Sequence, residues 1–229
     1  MLIAGLQKLT LLDFPGKTAC TLFTPGCNFR CPFCHNALLV TDKVNDFVTE
    51  ESFFSFLAKR RGILDGVCIT GGEPTLQKDL IPFIEKIRET GFLVKLDTNG
   101  YKPSVLKEII EKKLVDYIAM DIKAAPSAYA AATGIEDLDF SLILNSIELI
   151  EKSGIEHEFR TTVTKELHTA EAFEEILALF SCETPYFLQQ FKDSGNLIDS
   201  SCHGWETEEM KELAEKLRLS HTNVSLREN

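Results

Sequence analysis

Along most of its length the chain alternates short β-branched runs with amphipathic runs of helical period. That alternation restricts it to parallel β-α architectures. The strand candidates are TACTLFT (18–24), GVCIT (66–70), FLVKLDT (92–98), YIAMDIK (117–123), IEHEFRTTV (155–163) and PYFLQQF (185–191). Helix candidates lie between them near 50–61, 78–90, 103–113, 139–153 and 169–180, with Gly91 and Gly154 just past two of them, where a left-handed cap is wanted. A further helix near 207–219 is expected to start at Thr207 as N-cap, with Glu208 and Glu209 at the positive end of the dipole. Six such strands with right-handed crossovers make either an open doubly wound sheet or an incomplete barrel. A full eight-unit barrel usually needs about 250 residues, and the chain has 229.

In both architectures chemistry collects at the carboxyl ends of the strands. PGCNFRCPFCHN (25–36) follows the first strand, GGEP (71–74) the second, TNG (98–100) the third and KAAP (123–126) the fourth. All the unusual strings therefore belong to one rim.

The first string holds Cys27, Cys31 and Cys34 in C-x3-C-x2-C spacing, with no fourth cysteine nearby. Thiolates are soft ligands that select zinc, copper(I) or iron–sulfur clusters. A structural zinc site pairs C-x2-C with a second ligand pair. Here His35 adjoins Cys34, so both could hardly face one tetrahedral ion without strain, and Cys68, Cys182 and Cys202 stand in no motif. A zinc knuckle with an imported fourth ligand is one alternative. The other is a cubane [4Fe–4S] cluster, in which three cysteines hold three irons and the fourth stays open to a small molecule.

Composition bears on which alternative the environment allows. No uninterrupted apolar stretch approaches the ~20 residues that span a bilayer, and MLIAGLQKLTLLDFPGK has neither a basic head nor a small-residue cleavage site. A cytoplasmic location without membrane association is expected, where thiols stay reduced. Seven cysteines, an odd number, suit that compartment better than a disulfide scaffold. A formal net charge of −11 argues against gripping phosphate backbones, so no nucleic acid is expected as a partner.

CNFRCPFC followed by GGEP resembles the radical S-adenosylmethionine (SAM) superfamily, from about residue 5 to about 195. The resemblance implies an α/β fold, a partial (β/α)6 TIM-like barrel of parallel strands with outer helices. It implies a single domain over 1–229, with its core at about 15–195 and a C-terminal tail helix at about 206–219. Cys27, Cys31 and Cys34 would ligate a [4Fe–4S] cluster. Gly71, Gly72 and Glu73 would receive the methionine amino group of SAM, against the plainer possibility that GGEP is a tight turn.

LDTNG and AMDIK resemble strands of glycyl-radical-enzyme activating enzymes. By that resemblance Asp97, Thr98 and Asp121 would help hold a monovalent cation beside the SAM carboxylate, which Lys123 would meet directly. Two acids beside a carboxylate would repel it without such compensation. Phe33 and His35 would pack near the adenosine, and Arg160 would point toward the cofactor or pair with a surface acid. Some activating enzymes place a histidine in the sixth strand; here FLQQFKDSG offers Gln189 or Gln190 instead. Asp13, in Asp-x-Pro-Gly, would touch the backbone of an incoming peptide loop, with Asn36 also at the substrate side, although Pro-Gly alone explains a turn.

The implied activity is that of an anaerobic radical SAM oxidoreductase. Reductive cleavage of SAM gives a 5′-deoxyadenosyl radical, which takes a hydrogen from a glycine of a partner glycyl radical enzyme. No side chain need act as acid or base. A flavodoxin or ferredoxin-type protein would supply the electron. GLQKLTLLDFPGK most resembles the anaerobic ribonucleoside-triphosphate reductase activating group. The rivals are a radical SAM enzyme acting on a small molecule, such as a deazapurine synthase, and a zinc-bearing interaction module. Of the remaining residues, Cys20 and Cys68 are expected to be buried, and His157, His168 and His221 to be exposed or capped. Cys202-His203 resembles a metal pair but stands isolated.

Overall fold

The computed structural model describes all residues except 42, 43, 45, 194, 228 and 229. In chain order the strands are β1 (Gly5–Thr10), β2 (Ala19–Thr24), β3 (Gly66–Gly71), β4 (Leu93–Thr98), β5 (Tyr117–Asp121), β6 (Glu156–Val163), β7 (Tyr186–Gln190) and β8 (Val224–Arg227). The α-helices are α1 (Ala37–Thr41), α2 (Glu50–Ala58), α3 (Leu80–Glu89), α4 (Pro103–Glu111), α5 (Tyr129–Thr133), α6 (Phe140–Lys152), α7 (Ala170–Leu177) and α8 (Thr207–Leu217). All six expected strands and all six expected helices are present, giving the α/β class of parallel strands with helices between them. The chain divides into two compact units, and β5 passes from the first to the second after Ala119.

In the first unit β2, β3 and β4 pair in parallel, with Thr24 level with Gly71 and Ile69 level with Leu96. Their carboxyl ends therefore stand side by side. β1 was not expected; it pairs antiparallel with β2 through a shifted register between Gln7 and Thr10. Phe14 follows it and packs with Ala19, Leu93, Tyr117 and Ala119. The Asp-x-Pro-Gly segment closes as a turn, Lys17 N–H donating to Phe14 O at 3.1 Å across Gly16 at φ 68°. On the outside, the Phe53 ring of α2 stacks on Phe83 of α3 at 5.5 Å.

In the second unit β6, β7 and β8 pair in parallel. Ile122 N–H donates to Arg160 O at 2.8 Å, tying the end of β5 to β6. β8 was also unexpected. α8 begins one residue differently from expectation: Glu206, not Thr207, is its N-cap, because Glu206 and Glu209 form a reciprocal capping box. Gly91 and Gly154 hold the positive φ expected after α3 and α6, at 90° and 70°. Among the described residues no helix is long and apolar enough to cross a membrane.

Candidate active site

Within the first unit, the end of β2, the GGEP string and the end of β4 lie together. Gly72 N–H donates to Thr24 O and Glu73 N–H to Gly26 O, each at 2.8 Å. A Cβ on Gly72 would lie 1.9 Å from Gly26 O, and one on Gly71, at φ +120°, would lie 2.3 Å from Thr24 N. Both glycines are thus required by backbone packing, and what they pack against is the segment that launches Cys27. Gln77 Nε2 reinforces the junction by donating to Pro25 O at 2.8 Å.

Glu73 is 1% exposed. Its Oε1 accepts from Thr75 N–H at 3.0 Å, Thr75 Oγ1 at 2.6 Å and Thr98 Oγ1 at 2.8 Å. A carboxylate so buried needs those donors to stay charged. Thr98, expected beside the cofactor, therefore orients Glu73. Asp97 pairs with Lys95. Lys95 is 1% exposed, and its Nζ also lies 3.9 Å from Cys68 Sγ. Lys95 went unmarked in the sequence, although a lysine two residues from an aspartate in an apolar strand shares its face. Asp13 accepts a hydrogen bond from Thr21 Oγ1.

The second unit carries the rest of the cysteine loop. Cys34 N–H donates to Cys31 O at 3.1 Å, Arg30 N–H to Thr133 O at 2.7 Å, and Asp199 N–H to Pro32 O at 3.1 Å. The last two bonds tie the loop to the end of α5 and to the segment before α8. Phe33 is buried and meets His168 edge-on at 6.3 Å; His35 is exposed, with its ring stacked on Phe191 at 5.6 Å. Asn36 is half-buried just before α1.

At the end of β5, Asp121 accepts from Lys123 Nζ at 3.0 Å and from Arg160 Nε at 2.8 Å. Burial opposes charge on Asp121, yet the Arg160 guanidinium, then Lys123, holds its carboxyl well below the usual carboxylate range. Burial likewise opposes charge on Lys123, but Asp121, and after it Cys31, raises the ammonium above its ordinary value. Arg160 thus pairs with an acid. Gln190 turns its amide nitrogen to Trp205 O and Thr207 Oγ1, both at 3.3 Å.

Two expectations about histidines and cysteines resolve clearly. His168 is not exposed: it is fully buried, accepting from Thr164 N–H at 3.1 Å on Nδ1. Its Nε2 must then carry the proton, donating to Lys123 O at 3.0 Å. Burial lowers its pKa, so the ring stays neutral. A histidine at this loop gave no sequence signal, since its partners are two backbone groups and the Thr164 hydroxyl. Cys20 and Cys68 are fully buried as expected, and burial pushes the Cys20 thiol up to about 12. Cys202 is buried, whereas the neighbouring His203 is exposed and bonded to Glu166 at 2.8 Å.

The donor set of the loop is three cysteine sulfurs, Cys31 buried and Cys27 and Cys34 half-buried. Such a set suits an iron–sulfur cluster. Among the described residues no three or more His, Cys, Asp or Glu side chains are gathered into a ready metal site. The fit therefore rests on donor chemistry and on the backbone that fixes each end of the loop.

Comparison with known proteins gives a consistent result. The sequence profile of the Radical SAM superfamily matches residues 21–180. A Methanocaldococcus jannaschii protein provisionally named a glycyl-radical enzyme activating enzyme is 35% identical over 197 residues, 83% of this chain and 80% of that one. The pyruvate formate-lyase-activating enzyme of Clostridium pasteurianum is 30% identical over 71% of this chain and 70% of its own. A Thermococcus kodakarensis protein provisionally named GTP 3′,8-cyclase is 29% identical over 72% of this chain and 53% of its own. Among solved structures, Streptococcus suis SuiB bound to S-adenosylmethionine matches with a TM-score of 0.69 at 14% identity. That match covers 91% of this chain but about half (51%) of SuiB, and it shows a shared fold.

Proposed function

The chain belongs to the radical SAM superfamily, and from that membership we propose that it installs a glycyl radical on a partner enzyme. The superfamily implies a [4Fe–4S] cluster and SAM, which when bound supply one-electron cleavage of a sulfonium to a 5′-deoxyadenosyl radical. Everything else falls to this chain's own side chains. Cys27, Cys31 and Cys34 hold the cluster. Glu73, buried and hydrogen-bonded by Thr75 and Thr98, offers a carboxylate to the SAM ammonium. Lys123, oriented by Asp121, meets the SAM carboxylate. Phe33 and His35 line the adenosine side, Gln190 acts indirectly by holding the segment before α8, and Asp13 and Asn36 face the incoming peptide.

The expected countercharge for Asp97 and Asp121 is already present in the chain as Lys95, Lys123 and Arg160. The protein's role is orientation and exclusion of water around a radical.

The observation that carries the proposal is the 35% identity, across 83% of this chain, to a protein provisionally named a glycyl-radical enzyme activating enzyme. Anaerobic ribonucleotide reductase is the first partner to try, with a flavodoxin or ferredoxin-type reductant. Likeness to a GTP 3′,8-cyclase favours a second reading, turnover of a small molecule, though that match covers only 53% of the relative. Membership in an enzyme superfamily leaves the zinc-bearing module without support. The test is anaerobic incubation with SAM, dithionite and candidate glycyl radical enzymes. A glycyl radical signal by electron paramagnetic resonance, formed with 5′-deoxyadenosine, is expected. 5′-Deoxyadenosine without a radical on any candidate would favour the small-molecule reading.

A further inference from the structure

Glu158, on β6, is fully buried, and a carboxylate there persists only with cations and donors around it. Its partner comes from β8. Arg227 Nη1 and Nη2 donate to Glu158 Oε1 and Oε2 at 2.6 and 3.0 Å, a two-pronged contact that takes both oxygens. The Arg227 guanidinium also lies 4.0 Å from the ring centroid of Phe187 on β7, which fixes its plane. Parallel pairing delivers it there: Arg227 stands level with Gln189, and Phe187 with Arg160.

Glu158 and Arg160 are two residues apart and so share one face of β6. Arg160 Nη1 lies 3.9 Å from Glu158 Oε1, while its Nε donates to Asp121 Oδ1 at 2.8 Å. Lys123 Nζ completes the series on Asp121 Oδ2 at 3.0 Å. Charges of alternating sign therefore run from β8 to the end of β5: Arg227, Glu158, Arg160, Asp121, Lys123. Arg160 stands between two carboxylates, and the better pair wins it. Arg227 neutralises Glu158 through both oxygens, Arg160 keeps only its 3.9 Å approach to that carboxylate, and the Nε of Arg160 goes to Asp121.

We propose that Arg227 is a positioning residue for SAM: by saturating Glu158 it commits Arg160 to Asp121 and so sets the Asp121–Lys123 pair that receives the cofactor carboxylate. This rests on the assignment of Lys123 to that carboxylate made above. Without Arg227, Glu158 draws Arg160 away, and Asp121 is left to clamp Lys123 instead. The loss reaches the cofactor through Arg160 and through no contact of Arg227's own.

The test is the dissociation constant of SAM on the anaerobically reconstituted protein, measured by equilibrium dialysis with iron content and Tm as controls. Arg227→Met is expected to weaken SAM binding about tenfold, the scale on which supporting partners of a ligand-binding group act. The same substitution on an Arg160→Met background is expected to add nothing, since its route is already cut. Arg227→Lys keeps the charge but cannot take both oxygens, so it is expected to keep Tm and still weaken SAM binding. Unchanged affinity in Arg227→Lys, or full additivity on the Arg160→Met background, would overturn the proposal. If wild-type protein with an intact cluster binds no SAM, the cofactor assignment itself falls, and this proposal with it.

Discussion

At the scale of single residues, ionisable side chains at the strand ends are held by partners the chain itself supplies. Lys95 is the clearest case, an almost fully buried ammonium committed to Asp97. Breaking such a pair from one side leaves a buried charge poorly compensated and costs about 3 kcal/mol. Lys95→Met is therefore expected to lose that much stability in anaerobic urea titrations, and Lys95→Met/Asp97→Leu to recover most of it. A single variant as stable as wild type would mean the pair contributes little. His168 adds a pH dependence. Its folded pKa lies below the ordinary value of 6.5, so the folded state binds fewer protons than the unfolded one. The stability tied to it is complete above about 6.5 and is lost as pH falls through the folded value. The urea midpoint should drop between pH 7 and pH 5.5, by less in His168→Gln, and an identical drop in that variant would remove His168 as a source.

At the scale of elements, the junction between β3 and the cysteine loop governs the site. Gly72 abuts Gly26 O so closely that any Cβ must push the loop base away. Gly72→Ala is expected to cost about 3 kcal/mol, the upper range for a single substitution, and to lower the iron bound after reconstitution. Iron content equal to wild type in a folded Gly72→Ala protein would show that the junction does not position Cys27. Here the limits of sequence reading also become physical. The six inner strands were legible because each is a run of β-branched and apolar residues bounded by turns. β1 was not, since Gln7, Lys8 and Leu9 are exposed on an edge, and β8 is only four residues with one buried. The cysteine loop and GGEP were legible because their chemistry is carried by residue type and spacing. Lys95, Glu158, Arg227 and His168 were not. Glu158, Arg227 and His168 take their meaning from partners far off in sequence, Glu158 and Arg227 from each other and His168 from Lys123 O, whereas Lys95 faces Asp97 on its own strand.

At the scale of the whole molecule, reaction class and partner are written in different places. Chemistry-bearing strings at successive strand ends carry the resemblance to radical SAM enzymes, and the superfamily profile over residues 21–180 shows the membership. A partner protein is recognised through surface, and Asp13 and Asn36 are the residues proposed to face it. Similarity over 80% of the length of a protein provisionally named an activating enzyme supports the proposed partner class, while the superfamily carries the reaction. The claim on which all else depends is that Cys27, Cys31 and Cys34 together support reductive cleavage of SAM. It is tested most directly by quantifying 5′-deoxyadenosine from anaerobically reconstituted, dithionite-reduced protein and from its three single Cys→Ala variants. Wild type is expected to form 5′-deoxyadenosine and methionine in equal amounts, and each variant to form none above background. Wild type with a full complement of iron and sulfide that yields no 5′-deoxyadenosine, or a variant that yields as much as wild type, would contradict it.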